Sequence, residues 1–328
     1  MAATQQLKPS KRSAIRSFKV MDVVAKADRL AREGRDIFHL EVGQPQSSAP
    51  SPAVRIAQEQ LGSDRCGYTA ARGEPPLREA IARMVCLPPP FRTTQGQESK
   101  SRGPGTARPS LFQSAALRLM VRASRAPQYS KTYEVTCNPQ RIHLTPGSSG
   151  AFTIAFMAAF DVGDVVAVPS SSYPCYRNLL TTYGCVVASL PVNNEYNLTA
   201  RELTAAQADR AARGLPPIKG LILSSPANPT GAMLAPEELR ELCGVCESSG
   251  VQFISDELYH GITYQGAPRA ATALEFTRQA IIINGFSKAY SMTGWRLGWL
   301  IVPDHLDACV DALNVRSCAS PHASGPML

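Results

Sequence analysis

The sequence lacks any long run of apolar residues. Its longest apolar stretches, such as Val165 to Pro169 and Ala280 to Ile283, have the length of a strand, whereas a membrane-spanning helix needs about 20 residues. We therefore expect no transmembrane segment and no role in a membrane. The first residues also lack the apolar core of a secretory signal. Because no acid precedes Asp22, a transit peptide remains open.

A disulfide framework is also lacking. The nine cysteines are odd in number and scattered through apolar segments, which is typical of a reducing compartment and favours the cytoplasm. Cys243 and Cys246 form a CxxC pair, but no second pair accompanies them and they lie in a helical pattern. The sequence therefore predicts no metal site.

The net charge of +8 is concentrated in one segment. Seven basic residues and one acid lie between Val85 and Gln128, which leaves +2 for the rest of the chain. No nucleic-acid recognition motif accompanies this charge, so we do not expect a nucleic-acid partner.

Short β-rich runs alternate with amphipathic segments from Val135 onward, which predicts an α/β domain with a mainly parallel sheet. In such sheets, ligands bind at the carboxyl ends of the strands, so the residues that follow each strand are candidates for the site. The predicted strands are Asp164 to Val168, Gly184 to Leu190, Ile218 to Ser224, Val251 to Ser255 and Gln279 to Asn284.

Two segments interrupt this pattern. Residues 85–128 contain three consecutive prolines and many Gly, Ser and Arg, a composition that predicts a disordered insertion. After Asn314 the sequence has no helical or strand period. We therefore expect residues 304–328 to be the truncated or altered start of a second, incomplete domain.

Lys288 follows the last predicted strand in the segment GFSKAYSMTGWRLGW. Aromatic and apolar neighbours such as Phe286 and Trp295 would partly desolvate this lysine, which lowers its pKa and makes its amine nucleophilic. A second strand delivers Asp256 and, three residues later, Tyr259. A third strand is followed by the segment SSPANPTG, which contains Asn228. A Gly/Ser turn at Ser148 and Ser149 begins an apolar helix, and the free backbone N–H groups at such a helix start favour an anion.

The lysine segment closely resembles the signature of the aminotransferases related to aspartate aminotransferase, which depend on pyridoxal 5'-phosphate (PLP). The resemblance covers roughly residues 16–84 and 129–304 and implies an aspartate aminotransferase-like large domain at 43–303, preceded at 1–42 by an amino-terminal arm and part of the small domain. It also implies that Lys288 forms a Schiff base with PLP and carries the proton between substrate and cofactor.

The same resemblance assigns the remaining roles. Asp256 would hold the proton on the pyridine nitrogen, Tyr259 and Asn228 would bind the phenolic oxygen, and Asn228 and Gly43 would lie beside the substrate. Tyr173 would stack on the ring, although Ser170 and Ser171 stand where relatives commonly have Asp-Pro. Tyr68 would reach the phosphate of a second subunit, which implies a homodimer. The phosphate of its own subunit would be bound by Ser148, Ser149, Ser287 and Arg296.

The implied reaction is amino transfer between an amino acid and a 2-oxo acid. A lyase or synthase that uses the same cofactor site remains an alternative. So does a chain that binds PLP without turnover, because no arginine in a matching context is present near Leu328 to bind the substrate carboxylate. The sequence does not identify the amino donor.

Overall fold

The computed structural model describes residues 10–13, 19–63, 69–86, 133, 135–262, 264 and 266–317. Tyr68, residues 87–128 of the predicted insertion and residues 318–328 of the tail lie outside the described residues.

Helices occupy both the amino-terminal part of the chain and the connections between strands. The helices are α1 (Lys19–Arg32), α2 (Ser51–Ser63), α3 (Pro75–Cys86), α4 (Gly147–Ala159), α5 (Pro174–Thr182), α6 (Ala200–Ala212), α7 (Pro236–Ser248) and α8 (Asp304–Ser317). Within the described parts of the chain, no helix is both long and apolar enough to cross a membrane.

Two helix ends differ from the predictions. Helix α3 continues to Cys86, so the prediction that an insertion begins at Val85 is wrong by two residues. A proline disfavours helical geometry in the residue before it. Because the prolines begin only at position 88, this restriction does not reach Cys86. Helix α8 continues to Ser317, three residues beyond the point where the sequence pattern stops.

In the described part of the chain, seven strands form one sheet in the order β1-β7-β6-β5-β4-β2-β3. The strands are β1 (Ile142–Pro146), β2 (Val165–Pro169), β3 (Val186–Leu190), β4 (Ile218–Ser224), β5 (Gln252–Asp256), β6 (Ile281–Gly285) and β7 (Leu297–Ile301). Strand β7 pairs antiparallel with both β1 and β6, and the other pairs are parallel. The predicted α/β fold with a mainly parallel sheet is confirmed.

The sheet is buried on both faces, which is why its strands read as continuous apolar runs. Leu221 and Leu223 of β4 face one hydrophobic cluster, and Ile222 between them faces the other. Helices α3 and α7 pack on the first face through residues such as Leu77 and Leu242. Helix α4 packs on the second face.

The antiparallel strand determines which residues meet. Because β7 runs against β1 and β6, its first residue lies at the edge where β1 and β6 end. Strands β2, β4 and β5 run parallel to β6 through successive pairs and end at this same edge. The segments after β1, β2, β4, β5 and β6, and the segment before β7, therefore converge there.

Candidate active site

Lys288 lies in the turn that follows β6. It is partly buried, and its Nζ donates to the carbonyl oxygen of Gly43 at 2.8 Å. The pKa of Lys288 is lowered, first by burial and second by the positive charge of Arg296. Both effects favour the neutral amine, in the direction that the sequence predicts.

An anion-binding arrangement lies next to this lysine. Helix α4 begins at Gly147, so Ser148 and Ser149 belong to its first turn, where backbone N–H groups lack helical partners. The guanidinium of Arg296 lies against Gly147, since a Cβ there would be 2.5 Å from Nη2. Ser287, which precedes Lys288 in the sequence, is buried. A helix amino terminus beside a guanidinium favours a phosphate.

Gly298 allows β7 to approach this helix closely. A Cβ at this position would lie 2.6 Å from the carbonyl carbon of Gly147 and 2.7 Å from the nitrogen of Ser148. Backbone atoms cannot move aside as a flexible side chain can. The absence of a side chain at Gly298 therefore determines where the first turn of α4 sits.

We expect Gly298→Ala to weaken phosphate and PLP binding by about tenfold or more, because overpacking of this kind costs roughly 1–3 kcal/mol. Gly294→Ala is the matched control, since a Cβ there meets no atom within 4 Å. Titration of each variant with PLP, with its melting temperature measured in parallel, checks this. Equal affinities for the two variants would contradict it.

Asp256 ends β5 and is 3% exposed. Its carboxylate accepts hydrogen bonds from the Tyr176 hydroxyl and from the backbone N–H of Leu258. Burial raises the pKa of Asp256 to about 6. In the part of the chain that the structure describes, no basic side chain forms an ion pair with it. A buried carboxylate that is held only by neutral donors is suited to receive a cation.

Tyr176 is a residue that the sequence analysis missed. It lies in α5, is 1% exposed, and its ring contacts that of Tyr173 edge-on at 5.5 Å between centroids. The spacing of the two tyrosines, three residues apart on one helix end, places them on one side. That spacing was the only local signal, because the contact with Asp256 spans 80 residues.

Asn228 and Tyr259 form a second pair. The amide Nδ2 of Asn228 donates to the Tyr259 hydroxyl at 3.2 Å. Burial raises the pKa of Tyr259, with a smaller contribution from Asp256, and Asn228 opposes the shift. Burial raises the pKa of Tyr173 to about 12, and the nearby Tyr259 and Asp256 make smaller contributions in the same direction.

The structure therefore brings most of the predicted site residues to one edge of the sheet. Asp256, Tyr259, Asn228 and Tyr173 form one group, with Tyr176 behind it. A second group joins Lys288 to Gly43 and to Arg296, which lies beside the Gly147 turn. Tyr68 is outside the described residues, so its role stays a prediction.

The CxxC pair belongs to the core. Cys243 and Cys246 are both buried in α7. Burial raises the pKa of both thiols, that of Cys243 to about 12, which disfavours the thiolate that metals and redox partners need. Among the described residues, no group of three or more His, Cys, Asp or Glu side chains could hold a metal.

Known proteins resemble this chain over most of its length. A valine–pyruvate aminotransferase of Mycobacterium tuberculosis is 37% identical over 92% of this chain and 65% of its own length. A (5-formylfuran-3-yl)methyl phosphate transaminase of Methanocaldococcus jannaschii is 30% identical over 88% of this chain and 62% of its own length. The chain thus spans somewhat less than two thirds of these curated relatives.

Solved structures agree with the sequence relatives. The crystal structure of an aminotransferase from Mycobacterium tuberculosis superposes with a TM-score of 0.78 at 36% identity, and the match covers 97% of this chain and 69% of that one. The family model for aminotransferase class I and II matches residues 110–327. With the lysine, the aspartate and the anion-binding turn at one edge of this sheet, the chain belongs to the class I and II aminotransferases.

Proposed function

We propose that this chain is a PLP-dependent aminotransferase that moves an amino group between an amino acid and a 2-oxo acid. The observation that carries the proposal is the placement, at the same sheet edge, of a lysine of lowered pKa and a buried carboxylate that has no basic ion-pair partner among the described residues. Members of the family use PLP. The reaction is what the names of the relatives describe.

The residues present fit PLP. Its phosphate requires an anion site, and the first turn of α4 beside Arg296 is one. Its ring nitrogen is cationic when protonated, and Asp256 is a buried carboxylate without a basic partner among the described residues. Its aldehyde requires an amine of reduced basicity, and the pKa of Lys288 is lowered.

Each group of residues would bind one part of the cofactor. Asp256 would pair with the ring nitrogen, Tyr173 would cover the ring, and Asn228 and Tyr259 would donate to the phenolic oxygen. Tyr68 of a second copy would complete the phosphate site. The residues that would bind the phosphate within one copy are Ser148, Ser149, Ser287 and Arg296.

The chemistry is divided between cofactor and protein. PLP supplies an electron sink that stabilises negative charge at the substrate Cα. Lys288 would take the proton from that carbon and deliver it to C4′ of the cofactor. Its lowered pKa favours the neutral amine, which can accept the proton. Asp256 would keep the ring nitrogen protonated throughout. Gly43 would lie along the substrate.

The assembly and domain organisation form part of the same proposal. The role of Tyr68 implies a homodimer in which each site borrows one side chain from the second copy. Residues 1–42 would form an arm and part of the small domain, residues 43–303 the cofactor-binding domain, and residues 304–328 the truncated or altered start of the carboxyl-terminal part of the small domain. The cysteine pattern supports a cytoplasmic location.

A half-reaction tests the amino transfer. The PLP-loaded protein is mixed with one amino acid in the absence of an oxo acid. Valine is the first donor to test and pyruvate the first acceptor, because of the relative that is named for them. We expect one equivalent of 2-oxo acid per site, conversion of the cofactor to its amino form, and recovery of the starting spectrum when pyruvate is added.

The outcomes separate the reactions that this site could support. Continuous release of ammonia with no amino form of the cofactor would indicate elimination instead of transfer. Loaded protein that produces no oxo acid from any of a panel of aliphatic, acidic and aromatic amino acids would contradict the proposed activity.

A further inference from the structure

His260 connects two loops that each present a site residue. Its Nε2 lies 2.8 Å from the carbonyl oxygen of Ser225. Ser225 follows β4 and leads into the loop that carries Asn228, whereas His260 directly follows Tyr259. The imidazole therefore spans the two segments whose side chains, Asn228 and Tyr259, meet at 3.2 Å.

The geometry determines where one proton of the ring lies. A backbone carbonyl can only accept, so the proton must be on Nε2 of His260. Its Nδ1 is 2.5 Å from the hydroxyl of Tyr133, which donates to it when the ring is neutral. The Tyr133 ring is in turn covered by the guanidinium of Arg269, 4.8 Å from the ring centre. Both ring nitrogens thus have a partner, and the ring cannot turn without losing them.

Glu257 attaches the same turn to a different segment of the chain. Its buried carboxylate accepts from the hydroxyl of Thr272 at 2.8 Å and from the N–H of Ala273 at 3.0 Å. Its Oε2 lies 3.4 Å from Nδ1 of His260. The turn after β5 therefore alternates between site residues, Asp256 and Tyr259, and residues that attach it to the surrounding structure.

We propose that His260 is a positioning residue for the cofactor site, which keeps Asn228 and Tyr259 at the spacing needed for both to donate to one oxygen atom. This inference rests on the proposed function, because that oxygen belongs to the cofactor. His260 would contact neither substrate nor cofactor and would act through the Ser225 carbonyl.

Loss of the ring has a defined consequence. Ser225 is 7% exposed, so its carbonyl would remain buried without a partner, and an unsatisfied buried acceptor is costly. The loop would shift to reach another donor, and Asn228 would move away from Tyr259. Two donors to the cofactor oxygen stabilise its anionic form, so weakening them raises the pH at which the bound cofactor changes its visible absorbance.

Two amide variants of His260 test this, because they differ by one methylene. His260→Gln is long enough to present an N–H to the Ser225 carbonyl, whereas His260→Asn is too short. Tyr133→Phe is the control that removes the partner of Nδ1 and leaves the bond to Ser225. Each protein is titrated with PLP, its absorbance is followed against pH, and its melting temperature is recorded.

We expect His260→Asn to weaken PLP affinity by about tenfold and to raise the pH midpoint of the absorbance change. His260→Gln should recover most of both losses, and Tyr133→Phe should change them little. An unchanged midpoint in His260→Asn, with or without a loss of affinity, would overturn the positioning role. If wild-type protein failed to bind PLP through Lys288, the proposed function itself would fail, and that result is distinguishable from any difference among these variants.

Discussion

Lys288→Ala is expected to abolish the proposed amino transfer. The variant loses the residue that we propose as the nucleophile for the cofactor and as the group that moves the substrate proton, and loss of acid–base catalysis alone costs roughly 10²- to 10⁴-fold in rate. We expect a fall in kcat of at least about 10³-fold, with the fold intact, because the Lys288 side chain is only partly buried and, among the described residues, its one hydrogen bond is to Gly43. Half-reaction kinetics with a fixed donor measure the effect.

Two variants make this result specific. Lys288→Arg keeps a positive charge and a donor for Gly43 but is too weakly acidic to act as a nucleophile, so it should be as inactive as Lys288→Ala. Lys219→Ala removes an exposed lysine of β4 and should be fully active. An active Lys288→Arg, or an inactive Lys219→Ala, would contradict the assignment.

Asp256→Asn is expected to abolish the proposed amino transfer and to stabilise the cofactor-free protein at neutral pH. The amide occupies the same space, but it cannot hold a proton on the ring nitrogen by opposite charge. Removing one electrostatic partner of this kind costs roughly 10²- to 10³-fold in kcat. The same substitution should increase the free energy of unfolding of the cofactor-free protein, because burial of the Asp256 carboxylate is unfavourable when no cation is bound.

The pH dependence follows from the raised pKa. Burial moves the pKa of Asp256 from 3.8 to about 6, so the folded cofactor-free protein holds this proton more tightly than the unfolded chain. The favourable contribution is fully present below about pH 4 and is lost as the pH rises through about 6. The difference amounts to on the order of 3 kcal/mol. Chemical denaturation of wild type and Asp256→Asn at pH 5 and pH 8 measures it.

We expect Asp256→Asn to be the more stable protein at pH 8 and the advantage to shrink at pH 5. An equal difference at the two pH values would show that Asp256 does not titrate between them.

Tyr176→Phe tests the protonation of Asp256 through its hydrogen-bond partner. The Tyr176 hydroxyl lowers the pKa of Asp256, so its removal should raise that pKa further and reduce activity at neutral pH, with partial recovery as the pH increases.

The sequence predicted the elements that carry the site because their signals are local. Strand β4 was predicted at its observed bounds, Ile218–Ser224, since the run is apolar and ends in a Pro-rich turn. The other predicted strands differ by one or two residues at their ends. Gly184 illustrates why: it adopts a positive φ of 83° in the turn after α5, so β3 begins at Val186.

The contacts that shape the site could not be predicted in this way. Tyr176 reaches Asp256 from a different element, and His260 reaches the carbonyl of Ser225, 35 residues away. Such pairs depend on how the strands are ordered in the sheet, which periodicity does not reveal. The order itself depends on the antiparallel β7, whose reversal brings Arg296 to the end of β1.

The family resemblance contributed what local patterns could not. It named the cofactor and assigned a role to each strand-end residue, and family membership is confirmed by the match over residues 110–327. The individual roles remain predictions, that of Tyr68 included. The structure supports them by placing Asp256, Tyr259 and Asn228 within reach of one another and Lys288 beside Arg296.

Borohydride reduction of the PLP-loaded protein, followed by peptide mass mapping, tests the central assignment most directly. Reduction makes the bond between cofactor and lysine permanent, so the labelled peptide identifies the lysine. We expect a phosphopyridoxyl group on Lys288, with loss of the visible absorbance. A label on another lysine would contradict this assignment, and so would folded protein that binds no PLP and carries no label.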